Sequence, residues 1–150
     1  MRAVLDANVI VSAVLTPGGA PGRVMRALFD GRFDLVISAS ILQEVADVLG
    51  LPRIARKYQI PTERIEQVVA LLRLHGDVVP VSGTLRICRD PKDDVVLETA
   101  LSGNAEVLVS RDADITRDVE LIDALRERNV AVLTVRQFLE ALDAEPPERA

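Results

Sequence analysis

The sequence predicts an α/β fold, a three-layer α/β/α sandwich built on a mainly parallel sheet. Short runs rich in Val, Leu and Ile alternate with amphipathic segments of helical length, and these runs show no polar alternation. Strands that are buried on both faces have this pattern, because helices cover a parallel sheet from either side. The chain has 150 residues and no repeat or linker, so we expect one domain over residues 1–142 and a polar tail over residues 143–150.

The first half of the chain is predicted to contain two strands and five helices. Breaking residues separate the segments, such as the Thr-Pro-Gly-Gly stretch at 16–19 and Gly31. Between these breaks, Val24 and Leu28 share one helical face while Arg23 lies on the other. The predicted strands are 3–5 and 33–38, and the predicted helices are 8–15, 21–29, a helix capped by Ser38 or Ser40 and ending at 49, 52–58 and 61–75.

The second half is predicted to contain three strands and three helices. Asp90 suits the N-cap position and Pro91 the first helical position, and the Gly-Asn pair at 103–104 ends that helix. Thr134 and Gln137 have the spacing of a capping box ahead of the last helix. The predicted strands are 78–81, 106–110 and 130–134, and the predicted helices run from 91 to the 103–104 stop, over 119–128 and over 135–142.

Cysteine and histidine usage argues against several classes of site. Cys88 and His75 are single residues of their types, so there is no disulfide framework and no Cys- or His-based zinc site. The lack of a Gly-x-Ser-x-Gly elbow disfavours a serine hydrolase. The chain begins directly with a strand, and no apolar run reaches the roughly 20 residues that span a bilayer. We therefore expect a cytoplasmic protein with no membrane partner.

The net charge of −5 disfavours a nucleic-acid partner at first, but the charge is unevenly distributed. Residues 21–75 carry eight basic and six acidic side chains, whereas residues 76–150 carry nine basic and sixteen acidic ones. A mildly basic rim beside an acidic, cation-filled centre is compatible with a phosphodiester substrate. The alternative interpretation is that these charges lie on solvated helix faces.

Four acidic residues form the most informative pattern. Asp6 closes the first strand, Glu44 lies early in the helix after the second strand, Asp93 lies in the first turn of the helix from 91, and Asp112 follows the strand at 106–110. Strand C-termini and the following helix N-termini share one edge of a parallel sheet, so these acids should converge. Carboxylates without histidine suit Mg²⁺ or Mn²⁺, bound as one ion or as a pair.

Each acid also has an ordinary interpretation when it is taken alone. Asp6 would be a turn former, Glu44 an exposed helix residue, Asp93 an acid that favours a helix N-terminus, and Asp112 a loop residue. The combination of the four positions is more specific than any one of them. It therefore predicts a divalent-cation site.

These motifs resemble the PIN-domain family in order and spacing over about residues 2–140. Within that family the chain resembles the bacterial toxins of toxin–antitoxin systems related to the VapC type. The matching segments are Leu-Asp-Ala-Asn-Val at 5–9, Ile-Ser at 37–38, Ile-Leu-Gln-Glu-Val at 41–45, Arg-Asp-Pro-Lys-Asp-Asp at 89–94 and Leu-Val-Ser-Arg-Asp at 108–112. The Pro-Gly-Gly stretch at 17–19 and the ending at 132–139 also resemble that toxin branch.

The resemblance implies a Mg²⁺- or Mn²⁺-dependent endoribonuclease, a homodimer that a small antitoxin protein inhibits. Its metal ligands and catalytic residues would be Asp6, Glu44, Asp93 and Asp112, with Asn8 and Ser110 in supporting positions. Asp90, Asp93 and Asp94 crowd the third motif. Counting back from Ala100-Leu101 makes Asp93 the better match, and Asp94 could share or replace it as a ligand. Asp114 is a further candidate ligand that would act through water.

Two other functions stay open at the level of sequence. The first is an RNA- or protein-binding regulatory module on the same fold, with a catalytically weak site. The second is a phosphate-handling domain of the receiver kind, which the Asp-x-Asn pattern at 6–8 faintly resembles. A receiver needs a lysine after a late strand, and the two lysines here, Lys57 and Lys92, do not follow one.

Overall fold

The structure is a computed structural model that describes residues 1–88 and 90–145. In these residues five strands form one sheet in the order β3-β2-β1-β4-β5, and each of its four pairings is parallel. The predicted α/β/α sandwich is thereby confirmed, with a parallel sheet and helices packed around it. The strands are β1 (Arg2–Leu5), β2 (Asp34–Ile37), β3 (Gly76–Val78), β4 (Val107–Val109) and β5 (Ala131–Leu133).

Helices connect the strands in the order that the periodicity predicts. The capping box of Thr134 and Gln137 is present, and Ser38 rather than Ser40 caps the helix after β2. The helices are α1 (Ala7–Leu15), α2 (Ala20–Phe29), α3 (Ala39–Leu49), α4 (Pro52–Lys57), α5 (Thr62–His75), α6 (Pro91–Ser102), α7 (Ala113–Thr116), α8 (Val119–Glu127) and α9 (Val135–Ala144). In the part of the chain that the structure describes, no helix has the length and apolarity needed to cross a membrane.

Most predicted bounds agree with the structure to within one or two residues, and the differences that matter lie at β3, α7 and α9. The strand predicted at 78–81 lies at Gly76–Val78, where it pairs with β2, and the backbone N–H of Val79 makes one more bond to Ile37 at 2.8 Å. The pairing with β2 ends after this bond. The short helix α7 was not predicted, and α9 continues two residues past 142. Residues 146–150 of the predicted tail lie outside the described residues.

The core lies on both faces of the sheet. Ala3, Val4 and Leu5 of β1 are completely buried, as is Leu108 of β4. Each large aliphatic side chain buried in this way stabilises the fold by about 1.5–3 kcal/mol. The sheet therefore provides a rigid base for the residues that follow β1 and β4.

The strand order reverses between β1 and β4, and this reversal creates a crevice. β1 pairs with β2 on one side and with β4 on the other, so the connections after these strands diverge. The backbone N–H of Asp6 donates to Val109 at 2.9 Å, which holds the end of β1 beside the end of β4. Open parallel sheets bind their ligands at such a switch point.

Helix α6 brings its first turn to the same edge. Asp90 caps it by accepting a hydrogen bond from the backbone N–H of Lys92 at 3.0 Å, and Pro91 occupies the first turn. At the other end, a Cβ on Gly103 would lie 2.1 Å from Cγ1 of Val36, so only glycine allows the helix to approach β2 this closely. This close packing at its C-terminal end fixes the direction in which α6 presents Asp93.

Candidate active site

Asp6 stands at the end of β1, where α1 begins. Its side chain is only 6% exposed, and Oδ2 accepts a hydrogen bond from the Ser110 hydroxyl at 3.0 Å. The same hydroxyl oxygen accepts from the backbone N–H of Asp112 at 3.0 Å. Ser110 is completely buried, so this relay ties Asp6 and Asp112 together inside the crevice.

The surroundings of Asp6 oppose its negative charge. Burial raises the pKa of Asp6, the hydrogen bond from Ser110 lowers it, and the carboxylate of Asp112 raises it further. Like charges in a partly desolvated site disfavour ionisation. Asp6 is therefore a fixed carboxylate that lies within electrostatic reach of a second one.

Glu44 lies on α3 and is partly buried. Burial raises its pKa and Asp6 raises it further, while Lys92 acts in the opposite direction. Helix α3 is fastened to α6 through a buried pair, in which the Thr99 hydroxyl donates to Ser38 Oγ at 2.9 Å. Glu44 therefore approaches Asp6 from a helix that is anchored on its neighbour.

Asp93 lies among four neighbouring acids. Its pKa is raised to about 6 by burial, and then by the carboxylates of Asp112, Asp90, Asp6 and Asp114. Three of these four neighbours come from other segments of the chain. The structure thus brings together the four acids that were predicted from the sequence, to the extent that their charges raise the pKa of Asp6, Glu44 and Asp93.

Asp94 is turned to a different environment. Its Oδ1 accepts from the backbone N–H groups of Ile87 at 2.8 Å and Cys88 at 2.7 Å, and the residue is 3% exposed. Although burial raises the pKa of Asp94, these amide donors hold it below its ordinary value. Of the two alternatives for the third acid, the geometry favours Asp93 and gives Asp94 a role in holding the loop before α6.

The remaining predicted residues lie around this centre. Asp112 caps α7, and its Oδ1 accepts from the backbone N–H of Asp114 at 2.9 Å. Asp114 is exposed, and its charge contributes to the raised pKa of Asp93. Asn8 is exposed in the first turn of α1, two residues after Asp6. The backbone N–H of Asn8 hydrogen-bonds to Asp6 and lowers its pKa, but no hydrogen bond of the Asn8 side chain is recorded among the described residues. The supporting function of that side chain stays a prediction.

The donor set suits a hard divalent cation. Across residues 1–88 and 90–145, no three His, Cys, Asp or Glu side chains are gathered tightly enough to form a ready-made metal cage. Mg²⁺ does not require one, because it keeps several waters and takes one or two protein carboxylates. Carboxylates that raise each other's pKa are relieved by a positive ion between them. Asp6, Glu44, Asp93 and Asp112 supply the oxygen donors that such an ion prefers, and their role as its ligands stays a prediction.

Sequence reasoning gave no site role to two basic residues at this edge. Lys92 lies on the first turn of α6 and lowers the pKa of Glu44. The Arg111 guanidinium donates to the Ser12 hydroxyl of α1, beside the crevice. The adjacency of each to a predicted acid, Lys92 to Asp93 and Arg111 to Asp112, was the signal available in the sequence.

Two grooves flank the acidic centre. The Glu44 groove, of about 720 Å³, lies between α3 and α6 and is lined by Glu44, Asp47, Val48, Leu51, Lys92 and Val95, among others. The Asp93 groove, of about 600 Å³, lies between the start of α6, α7 and α8 and is lined by Asp90, Asp93, Asp114, Arg117, Asp118 and Glu120, among others. Among residues 1–88 and 90–145, the first groove is lined by two acids and one lysine, and the second by five acids and one arginine.

Comparisons with known proteins agree with this architecture. Residues 2–114 match the family model of the PIN domain. The chain is 25% identical over 145 residues to the uncharacterized protein MJ1680 of Methanocaldococcus jannaschii, covering 95% of this chain and 92% of the relative. It is also similar, with a TM-score of 0.54 and 15% identity, to a chain in the crystal structure of VapBC2 from Rickettsia felis bound to a DNA fragment from their promoter, covering 89% of this chain and 98% of that one. At that identity the likeness concerns the fold alone.

Proposed function

The chain belongs to the PIN-domain family, whose members are generally nucleases, and from that premise we propose that it is a metal-dependent endoribonuclease. One observation carries the proposal. Asp6, Glu44 and Asp93 come from three different segments, yet each has a pKa raised by burial and by neighbouring carboxylates. A cluster that repels its own charge is costly to a fold unless a cation or a reaction uses it.

The proposed ligands are Asp6, Glu44, Asp93 and Asp112, with Asp114 acting through water. When bound, Mg²⁺ or Mn²⁺ would stabilise negative charge on phosphoryl oxygens and lower the pKa of a bound water. The protein contributes to the reaction by holding its carboxylates in fixed positions. Ser110 does this for Asp6 by donating at 3.0 Å, and its buried position prevents the hydroxyl from turning away. Hydrolysis would then leave a 5′-phosphate and a 3′-hydroxyl.

The experiment is cleavage of a fluorescent single-stranded RNA with Mn²⁺ by wild type and Asp6→Asn. We expect Asp6→Asn to cut at least about 100-fold more slowly, because even the partners of metal ligands are worth 10- to 100-fold. Its amide oxygen can still accept from Ser110, so the fold is preserved. Asp34→Asn is the matched control, because Asp34 is exposed at the start of β2, away from the acidic centre. If Asp6→Asn cuts RNA as fast as Asp34→Asn, the proposal is wrong.

The same fluorescent RNA, followed as Mn²⁺ is added, tests the alternative of a binding or regulatory module. One observation favours that alternative, since the described residues contain no tightly gathered ligand set. A module would bind the labelled RNA with Mn²⁺ and release no product. Binding without cleavage by the wild-type protein would therefore replace the nuclease proposal with that of an RNA-binding domain.

A toxin–antitoxin role is the biological setting that we propose for this nuclease. Its support is the fold similarity to a chain of a VapBC2 complex. We expect the neighbouring gene to encode a small antitoxin that binds the chain and suppresses RNA cleavage, and we expect the nuclease itself to be a homodimer. Co-expression with that neighbour, followed by size-exclusion chromatography with light scattering, checks both expectations. A housekeeping nuclease would instead remain active and would not copurify with the neighbouring product.

A further inference from the structure

Resting on the proposed function, we infer that single-stranded RNA leaves the acidic centre through the Glu44 groove, where Lys92 contacts a backbone phosphate. This makes Lys92 a substrate-positioning residue and gives the nuclease a directional substrate path. The inference comes from the difference between the two grooves that adjoin the same carboxylates. One of them can accept a polyanion, and the other repels it.

The remaining charges of the Glu44 groove balance once a cation is bound to Glu44. In the Glu44 groove the acids are Glu44 and Asp47, and Glu44 belongs to the proposed ligand set, which leaves Asp47 opposite Lys92. Asp47 itself accepts a hydrogen bond from the Gln43 side chain at 2.8 Å. A strand of RNA carries one negative charge per nucleotide, so it is drawn to the groove whose free charges balance.

The Asp93 groove lacks this balance. Even with Asp93 occupied by a cation, the lining residues that the structure describes include four further carboxylates and a single basic side chain, Arg117. Like charges that are brought together at an interface cost several kcal/mol, which is how interfaces suppress wrong partners. An RNA backbone is therefore excluded from this side. The acids of the groove are Asp90, Asp93, Asp114, Asp118 and Glu120.

The walls of the Glu44 groove also suit a nucleotide. Val48, Leu51 and Val95 contribute aliphatic surface, and Leu51 is 43% exposed at the groove. The groove volume of about 720 Å³ lies within the range of small-molecule sites, which is roughly 300–1,000 Å³. A base can lie against aliphatic side chains, but no aromatic residue lines this groove in the described part of the chain to stack on it. Binding there is accordingly led by the phosphate and is tolerant of sequence.

Lys92 is held where it can act on this path. It lies on the first turn of α6, next to Asp93, and its ammonium lowers the pKa of Glu44 across the groove. The Lys92 ammonium is therefore close to Glu44, one of the proposed metal ligands, while Lys92 itself is exposed to solvent. A phosphate one step from the scissile bond would meet it there.

The test measures binding of fluorescein-labelled single-stranded RNA by anisotropy, with Mn²⁺ present, in the Asp6→Asn background that should not cut. Lys92→Gln should weaken binding about fivefold near 0.1 M salt and reduce the log–log salt slope by about 0.7, the value of one lost phosphate contact on a single strand. Lys92→Arg should restore both quantities. Lys57→Gln is the matched control, because Lys57 lies on α4 with its ammonium 5.4 Å from the Tyr58 ring.

A second pair of variants tests the groove without touching Lys92. Leu51→Glu places a negative charge at the groove and should weaken RNA binding, whereas Leu51→Gln of similar size should not. In cleavage assays with intact Asp6, Lys92→Gln should raise KM more than it lowers kcat. Lys92→Gln should weaken the binding of RNAs of scrambled sequence by the same factor, because the contact is to the backbone.

The outcomes separate this inference from the proposed function. If wild type cuts RNA but Lys92→Gln and Leu51→Glu bind it as tightly as Lys57→Gln and Leu51→Gln, the groove assignment is overturned and the nuclease stands. If wild type binds RNA without cutting it, and Lys92→Gln still reduces the salt dependence of binding, the groove assignment is supported and catalysis is not. If wild type neither binds nor cuts RNA, both proposals are overturned.

Discussion

The two sides of the first turn of α6 present adjacent carboxylates to opposite environments. Asp93 faces the acids of the candidate site, and its pKa is raised to about 6. Asp94 faces the loop that precedes the helix, and the pKa of this more deeply buried group is lowered. Burial by itself raises the pKa of both residues. The difference between them therefore arises from their neighbours.

Hydrogen-bond donors decide which acid is satisfied by the protein itself. Two backbone N–H groups, from Ile87 and Cys88, reach Asp94 at 2.8 and 2.7 Å and stabilise its charge. The neighbours that act on Asp93 are four carboxylates. A carboxylate with amide donors belongs to the architecture, while one surrounded by like charges is available to a cation. This contrast separates an acid that the protein's own donors satisfy from the neighbouring acid that we propose as a metal ligand.

The largest expected effect is on activity, and it comes from Asp93. We expect Asp93→Asn to reduce Mn²⁺-dependent RNA cleavage at least about 100-fold, while its free energy of unfolding at pH 7 does not fall, because a repelled charge is removed. Denaturant unfolding and cleavage rates measured on the same preparation check this. Asp123→Asn on α8 is the control, since Asp123 makes only a surface pair with Arg126 at 3.7 Å. A stable Asp93→Asn variant that cleaves RNA as fast as wild type would show that Asp93 is not needed for cleavage.

The next largest effect is on stability, and it comes from Asp94. Asp94→Ala should lower the free energy of unfolding by about 1–3 kcal/mol, because two backbone N–H groups lose their buried acceptor. Asp94→Asn should lose less, since its amide oxygen can still accept from Ile87 and Cys88. Chemical denaturation of the two variants beside wild type measures the order. Equal stability of Asp94→Ala and wild type would remove the structural role that the comparison assigns to Asp94.

The sequence alone could predict the layers of the fold and the edge at which the acids meet. Helical and strand periodicity, the caps at Asp90 and Thr134 and the glycine stop at Gly103 are local signals, and they placed most elements within a few residues. Convergence at the sheet edge followed from parallel topology, which confines strand C-termini to one side. The role of the acids as ligands stays a prediction.

What the sequence could not provide depends on contacts between distant segments. The start of β3 is set by pairing of Gly76 with Leu35, and Gly76 carries no strand propensity that would announce it. The different surroundings of Asp93 and Asp94 depend on where residues 87 and 88 return, and no spacing rule fixes the path of such a loop. The relay through Ser110 likewise requires β1 and β4 to be neighbours.

A smaller effect is expected in the pH dependence of stability, measured without metal in the presence of a chelator. Because the pKa of Asp93 rises from 3.8 to about 6 on folding, the native state binds more protons than the unfolded state in that window. Stability from the protonated form is therefore complete below about pH 4 and is lost as the pH rises through about 6. Asp93→Asn should gain roughly 1 kcal/mol relative to wild type across this window, a value reduced because the group is partly solvated.

The pH profile of Asp94 should have the opposite sign. Its lowered pKa means that its contribution is present above the ordinary value of 3.8 and is lost as the pH falls below it. Wild type should be more stable than Asp94→Asn at neutral pH, and this difference should shrink in acid as Asp94 becomes protonated. Asp93→Asn should be more stable than wild type at neutral pH. That difference should also shrink in acid, because a protonated Asp93 does not destabilise the fold. Parallel slopes for Asp93→Asn and wild type between pH 4 and pH 7 would contradict the raised pKa.

The smallest expected effect lies one turn further along α6, at Glu98. This carboxylate accepts from the backbone N–H of Gly83 at 3.1 Å, from the Ser82 hydroxyl at 3.1 Å and from the Ser82 backbone N–H, so it fastens the same loop as Asp94 at a solvent-exposed point. Glu98→Gln should leave the denaturation midpoint unchanged and speed hydrogen exchange at residues 82 and 83, because an exposed contact resists only local opening. Asp94→Asn should instead speed exchange at residues 87 and 88. If Glu98→Gln opened residues 87 and 88 as well, the loop would move as one unit, and the acid buried beside it would hold no separate part of it.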